Sequence, residues 1–213
     1  MTPRTARGVV AAFALISFVA GCASEKAAET PADMNTAPGA DMSKMEGMSA
    51  PVTIPKGAIY TEADVHFMQG MIAHHAQAIH MSRMAEKHGA NPRVLRLAQK
   101  IDQSQVAEIR LMQEWLGANS QMVPDTSSYH TVMMPGMLTA EQIRQLDAAR
   151  GAEFDLQFLM LMIQHHEGAL KMVEDLFATP RAGQDVDVSV FANDVVTVQT
   201  AEIGVMRQML GGL

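Results

Sequence analysis

The chain reads as all-α: long helices arranged as two helical hairpins that pack into a four-helix bundle. Three observations lead there. Apolar residues recur at helical spacing through most of residues 61–210, no segment shows a sustained strand alternation, and the first hairpin is repeated in the second. Only the valine-rich residues 186–191 are ambiguous between helix and strand.

Arg4 and Arg7 form a short positive region, residues 8–20 are apolar apart from Ser17, and Gly21-Cys22 follows directly. This is the order of a secretory signal peptide, residues 1–21, and the apolar run is too short for a spanning helix of about 20 residues. The sequence Val19-Ala20-Gly21-Cys22 resembles the lipobox of bacterial lipoproteins. That resemblance implies a lipid on Cys22 and an exported protein anchored in the bacterial envelope, with its bundle in the periplasm or outside the membrane. Cys22 is the only cysteine, so the mature chain forms no internal disulfide and offers no thiolate metal site.

Residues 22–58 are rich in Ala, Pro, Ser, Thr, Glu and Met and poor in branched apolar side chains, which predicts a flexible tether. The whole chain carries 16 basic and 23 acidic residues; loss of Arg4 and Arg7 with the leader leaves a net charge of −9. A polyanion of this kind repels nucleic acid and attracts cations.

The bundle, residues 59–213, begins with a helix capped by Thr61, with Glu62 and Asp64 favoured by its positive end. It runs to about His88, where Gly89 suits a helix stop. Asn91-Pro92 supplies the next cap and first-turn proline for a helix reaching Leu116, and together these make the first repeat, residues 61–117. Residues 118–138 form a long connection with two prolines and a methionine cluster. Thr139 and Gln142 are spaced as a capping box, starting a short helix to about Arg150 that leads into a long one from Gly151 to Phe177. A last helix, capped by Asp187 or Ser189, reaches Leu210 and closes the second repeat, residues 139–211.

The repeat is the strongest structural signal. Residues 64–81 match residues 155–172 at offset 91 through Asp64/Asp155, Phe67/Phe158, Met71/Met162, Ile72/Ile163, His74/His165, His75/His166, Ala78/Ala169 and Met81/Met172. At offset 94, Gln105, Glu108, Ile109 and Met112 recur as Gln199, Glu202, Ile203 and Met206. Two such hairpins related by a pseudo-twofold axis bury each other's apolar stripes, which forms the bundle.

Chemistry concentrates on the same residues. At 100° per residue, Asp64, Met71 and His75 share one stripe and His74 and Met81 a neighbouring one; Asp155, Met162, His166, His165 and Met172 reproduce both. Imidazole is a common copper ligand, and thioether sulfur suits Cu(I) or Ag(I), so this mixture selects soft monovalent ions, with Cu(II) also served by the imidazoles. Asp64, Asp155, Glu108 and Glu202 are read either as partners that orient imidazole rings or as helix-end charges. Methionine is abundant, 19 residues, and Met34, Met42, Met45 and Met48 fall in the tether, where no core needs filling. Met42, Met45 and Met48 are spaced by three, as in copper-capture segments. His130, Met133, Met134 and Met137 form a second candidate cluster in the long connection. His66 and His80 are accessory candidates, and His88 suits a helix end.

The run Phe158 to Ala169, its partner Phe67 to Ala78, the preceding Met134-Pro135-Gly136-Met137 and the Gln-x-x-Glu-Ile-x-x-Met helices resemble the bacterial "domain of unknown function 305" family. The resemblance covers residues 61–210. It implies a ferritin-like four-helix bundle and a likeness to periplasmic copper-binding proteins of copper or silver tolerance.

The expectation is therefore a non-catalytic protein that sequesters or chaperones copper through Met and His ligands. Its partners would be metal ions, the membrane through Cys22, and a copper-transfer protein or a second copy. Two alternatives stand beside it. A ferritin-like redox enzyme would need a Glu three residues before a histidine on two helices, yet Met71, Ile72, Met162 and Ile163 occupy those places. A structural or partner-binding module would take up no metal at all.

Overall fold

The protein is described by a computed structural model covering residues 52–212. The expected leader, Cys22, and Met34, Met42, Met45 and Met48 of the expected tether lie outside the described residues. The described chain is helical, in the order α1 (Glu62–Lys87), α2 (Pro92–Ala118), a 3₁₀ turn (Thr126–His130), α3 (Ala140–Ala148), α4 (Gly151–Ala178) and α5 (Val186–Leu210). No strand occurs among the described residues.

Local signals set most boundaries. Thr61 and Asp64 form a complete capping box on α1, Asn91 accepts from the Arg93 N–H with Pro92 in the first turn of α2, and Thr139 with Gln142 caps α3. The start of α5 differs from expectation. Asp185, rather than Asp187 or Ser189, is its cap, accepting from the N–H groups of Asp187 and Val188 and from Trp115 Nε1. With three donors held by one carboxylate, and Val188 and Phe191 buried, the β-branched run enters the helix despite its strand preference. Packing also begins ahead of residue 59, the expected boundary, because Val52, Ile54 and Ala58 pack on the core and Gln121 Nε2 donates to the Thr53 carbonyl at 3.0 Å.

Helices α1 and α2 form one hairpin and α4 and α5 the other, with α1 against α4 at the centre. Met71 shares a cluster with Met172, and Met81 shares a second with Met162, so α1 and α4 run antiparallel about the pseudo-twofold axis. The four motif histidines fall midway along these helices, between the two clusters. The connection between hairpins crosses α1 as a strap. Gln69 Nε2 donates to the Met122 carbonyl at 2.9 Å, and Gln77 brackets Leu138, donating to its carbonyl at 3.0 Å and accepting from its N–H at 2.7 Å. The strap reaches α4 at Gly168, where an added Cβ would collide with the Pro135 carbonyl; Gly136, at φ +76°, lies on the other side of this contact.

Candidate metal centre

His74, His75, His165 and His166 are each completely buried. The rings of His74 and His165, which are symmetry mates, lie 3.8 Å apart between centroids, and His165 and His166 are separated by 6.3 Å. The pairing of their nitrogens is consistent. His75 Nε2 donates to Glu108 Oε2 at 2.6 Å and His166 Nε2 to Glu202 Oε2 at 2.9 Å, while His74 Nε2 donates to the Pro135 carbonyl at 3.0 Å. A carbonyl can only accept, so the His74 proton is on Nε2 and the lone pair on Nδ1. The Nδ1 atoms of all four histidines, and Nε2 of His165, lack a hydrogen-bond partner.

Gln105 Oε1, Gln199 Oε1 and Glu202 Oε1 are likewise buried without a hydrogen-bond partner. Eight of the ten such side-chain atoms among the described residues therefore belong to these seven residues. At about 1–3 kcal/mol for each unmet buried polar atom, leaving the whole cluster unmet would cost an amount comparable with a domain's stability, so these atoms are where a bound group would gain most. An imidazole whose second N–H is held by a carboxylate or carbonyl is the usual form of a metal-binding histidine.

Burial, followed by repulsion from His75, lowers the pKa of His74 to about 3; burial, followed by His74, pushes His165 well below its ordinary value. Both rings are neutral at physiological pH, so an incoming ion displaces no proton from them. Met71, Met81, Met162 and Met172 are fully buried in the clusters above and below the histidines. No group of three or more His, Cys, Asp or Glu side chains forms a ready-made cage among the described residues. The donors present are imidazole and thioether with outer carboxylates, which fits a soft ion of low coordination number better than Zn²⁺ or a hard divalent ion.

Of the four carboxylates, Glu108 and Glu202 orient imidazole rings, whereas Asp64 and Asp155, also set among the metal ligands by their place on the histidine stripes, act at helix ends. Asp64 accepts from the Thr61 N–H and from the Gly183 N–H, both at 2.6 Å, and Asp155 accepts from the Asn91 N–H at 3.0 and 3.1 Å. Each repeat's aspartate thus clamps the hairpin turn of the other repeat at a bundle end, because backbone donors meet it there. The strap cluster is also divided. Met134 and Met137 are buried in the cluster containing Met71 and Met172, whereas Met133 is 60% exposed and His130 is exposed. His130 stacks on Tyr129 at 3.9 Å, and His80 lies 5.8 Å from the same ring, away from the buried histidines. His66 sits 3.9 Å from Glu62, and His88 caps α1, with Nδ1 at the Met84 carbonyl and Nε2 at Asp147. Gln105 and Gln199, buried on α2 and α5 one turn before Glu108 and Glu202, were not read as candidates from the sequence, although their place in the offset-94 repeat marked them.

This arrangement defines a class of protein: a helical bundle with a duplicated, buried histidine–carboxylate core. The chain belongs to the DUF305 family, described as a domain of unknown function, whose profile matches residues 64–210. It is similar to a DUF305 fragment from Deinococcus radiodurans, at 28% identity and a TM-score of 0.62 over 72% of this chain and 99% of that one. A DUF305 protein from Streptomyces coelicolor, described as secreted, aligns at 27% identity with a TM-score of 0.61, covering 70% and 93% of the two chains. CopM in its Cu(I)-bound form aligns at 28% identity with a TM-score of 0.56, covering 70% and 96%. CopM structures with Cu(II) and with silver align similarly, so metal binding occurs within this structural group. No curated protein matches the chain in sequence. Among the described residues, no helix is long and apolar enough to cross a membrane.

Proposed function

We propose that the protein is an exported, non-catalytic metal-binding protein that sequesters Cu(I), or Ag(I), and hands it on from the bundle centre. The observation that carries this reading is the set of four buried imidazoles with unpaired Nδ1 atoms, three of them anchored through Nε2. Met71, Met81, Met162 and Met172, with Met134 and Met137 from the strap, are buried in the clusters that flank them and are the thioethers that would join the site. The CopM forms with copper and silver support the choice of ion. A lipid on Cys22 would hold the protein at the envelope, and Met42, Met45 and Met48 would capture ions ahead of the bundle.

Titrating metal-free protein with Cu(I) against a competing chelator tests this directly. At least one equivalent binds with sub-micromolar affinity, and replacing His74, His75, His165 and His166 together by Leu weakens binding at least 100-fold. Unchanged uptake by that variant removes the site from the bundle. A dinuclear iron or manganese centre is the second reading, favoured by Glu108 and Glu202 arriving from the outer helices. It requires iron-dependent oxidase activity, which the copper reading does not.

A further inference from the structure

The two halves of the bundle differ where their outer helices meet. At offset 94, Leu97 corresponds to Phe191, Met209 to Trp115, and Arg93, Arg96 and Lys100 to Asp187, Val190 and Asp194. In the first half, Phe191 packs 6.1 Å from the His75 ring, and both Phe191 and Trp115 are buried. In the second, the smaller Leu97 and Met209 leave open a groove of about 320 Å³ between α2 and α5. Three cations, Arg93, Arg96 and Lys100, stand along it on a protein that is otherwise acidic.

Glu202 lines the inner side of the groove. It is only 3% exposed; its Oε2 holds His166 Nε2 at 2.9 Å, and its Oε1 has no hydrogen-bond partner. The nearest cation, Lys100 Nζ, stands 3.8 Å from Oε1 on a side chain that is itself 69% exposed. One buried carboxylate therefore separates the groove from a buried imidazole. The corresponding carboxylate in the first half, Glu108, is 23% exposed, and the positions equivalent to the three cations are Asp187, Val190 and Asp194.

Resting on the soft-metal reading above, we infer that this groove is the exchange port of the buried centre and receives the ion as an anionic complex. The basic residues attract the complex and orient it, which a free monovalent cation would not require and which would repel it. Lys100 turns from Glu202 to the negative charge of the carrier. Oε1 then takes the ion as the carrier's donor bond breaks, and the oxidation state does not change. Leu97 and Met209, where the other half has Phe191 and Trp115, provide the room.

The experiment follows transfer of Cu(I) to the full-length metal-free protein from its bis(bicinchoninate) complex, an anionic chelate whose colour is lost on transfer. Leu97→Phe with Met209→Trp copies the filled half into the open one. It slows transfer at least tenfold while final occupancy equals that of the wild type. Arg93→Glu with Arg96→Glu, at exposed positions along the groove, slows transfer from the anionic chelate similarly. The same variant takes up Cu(I) from its cationic acetonitrile complex at least as fast as the wild type. Wild-type rates in both variants at equal final occupancy overturn the port and leave the centre standing. Failure of the wild type to take up Cu(I) at equilibrium overturns the metal-binding reading and the port together.

Discussion

Helix α1 and helix α4 carry the same motif but not the same surroundings. Along α1, Gln69, His74 and Gln77 all bond to the strap; their mates on α4 are Met160, His165 and Gly168. Met160 is 56% exposed, His165 has no partner on either ring nitrogen, and Gly168 is the bare spot on which the strap rests. Duplication supplies two equal helices but only one crossover, and that crossover has one Pro135 carbonyl to offer. Symmetry is broken at the centre as a result: His74 has its proton pinned, while His165 remains free at both nitrogens.

The contact that creates this difference is the first to break. Gly168→Ala places a methyl group against strap backbone, which cannot swing aside as a side chain would, and should cost about 3 kcal/mol in denaturant unfolding. Gly204→Ala, on α5 with nothing within 4 Å of the new carbon, should instead stabilise by about 0.5–1 kcal/mol. Equal responses at the two sites would mean that the strap does not bear on α4.

Acid provides the next test. The His74 pKa falls to about 3 and that of His165 well below 6.5, both through burial first, so the unfolded chain binds protons that the folded one refuses. Stability of the metal-free protein is full above pH 6.5 and declines as the pH falls toward about 3. His74 contributes a slope of up to about 1.4 kcal/mol per pH unit in that window, and His165 adds to it in the same direction. Replacing His74 and His165 by Leu should flatten the curve, and a variant that retains the full slope places the titration elsewhere.

Smaller effects separate the halves more finely. Gln77→Ala leaves the Leu138 N–H and carbonyl without their bracket and should cost about 2 kcal/mol. For the two carboxylates, Glu202→Gln should weaken Cu(I) binding about 10-fold or more and Glu108→Gln less, since Glu202 is almost fully buried and Glu108 is 23% exposed. A reversed order, read by chelator competition, would make the first half the tighter one.

Much of the fold was legible in the residues. Caps at Thr61, Asn91 and Thr139 are local hydrogen-bond chemistry, written within three residues of one another. The alignment of His74-His75 with His165-His166 showed a duplicated hairpin because a repeated apolar stripe has to be buried against its copy. The carboxylates were less legible: Asp64 lies on the same helical stripe as His75, yet it clamps the turn at Gly183, while Glu108, on another helix, holds the ring. Helical spacing reports which side chains share a face and leaves open which distant group that face meets.

The sequence alone therefore determined the helices, their duplication and the gathering of imidazole and thioether on the central pair, since each depends on periodicity or on neighbours along the chain. Tertiary structure decided that Glu108 and Glu202 hold the rings, that Met134 and Met137 go inward while Met133 stays outside, and that a groove opens over Glu202. Those outcomes depend on distances between helices and on the course of one crossover, which are settled only when all the surfaces are packed together.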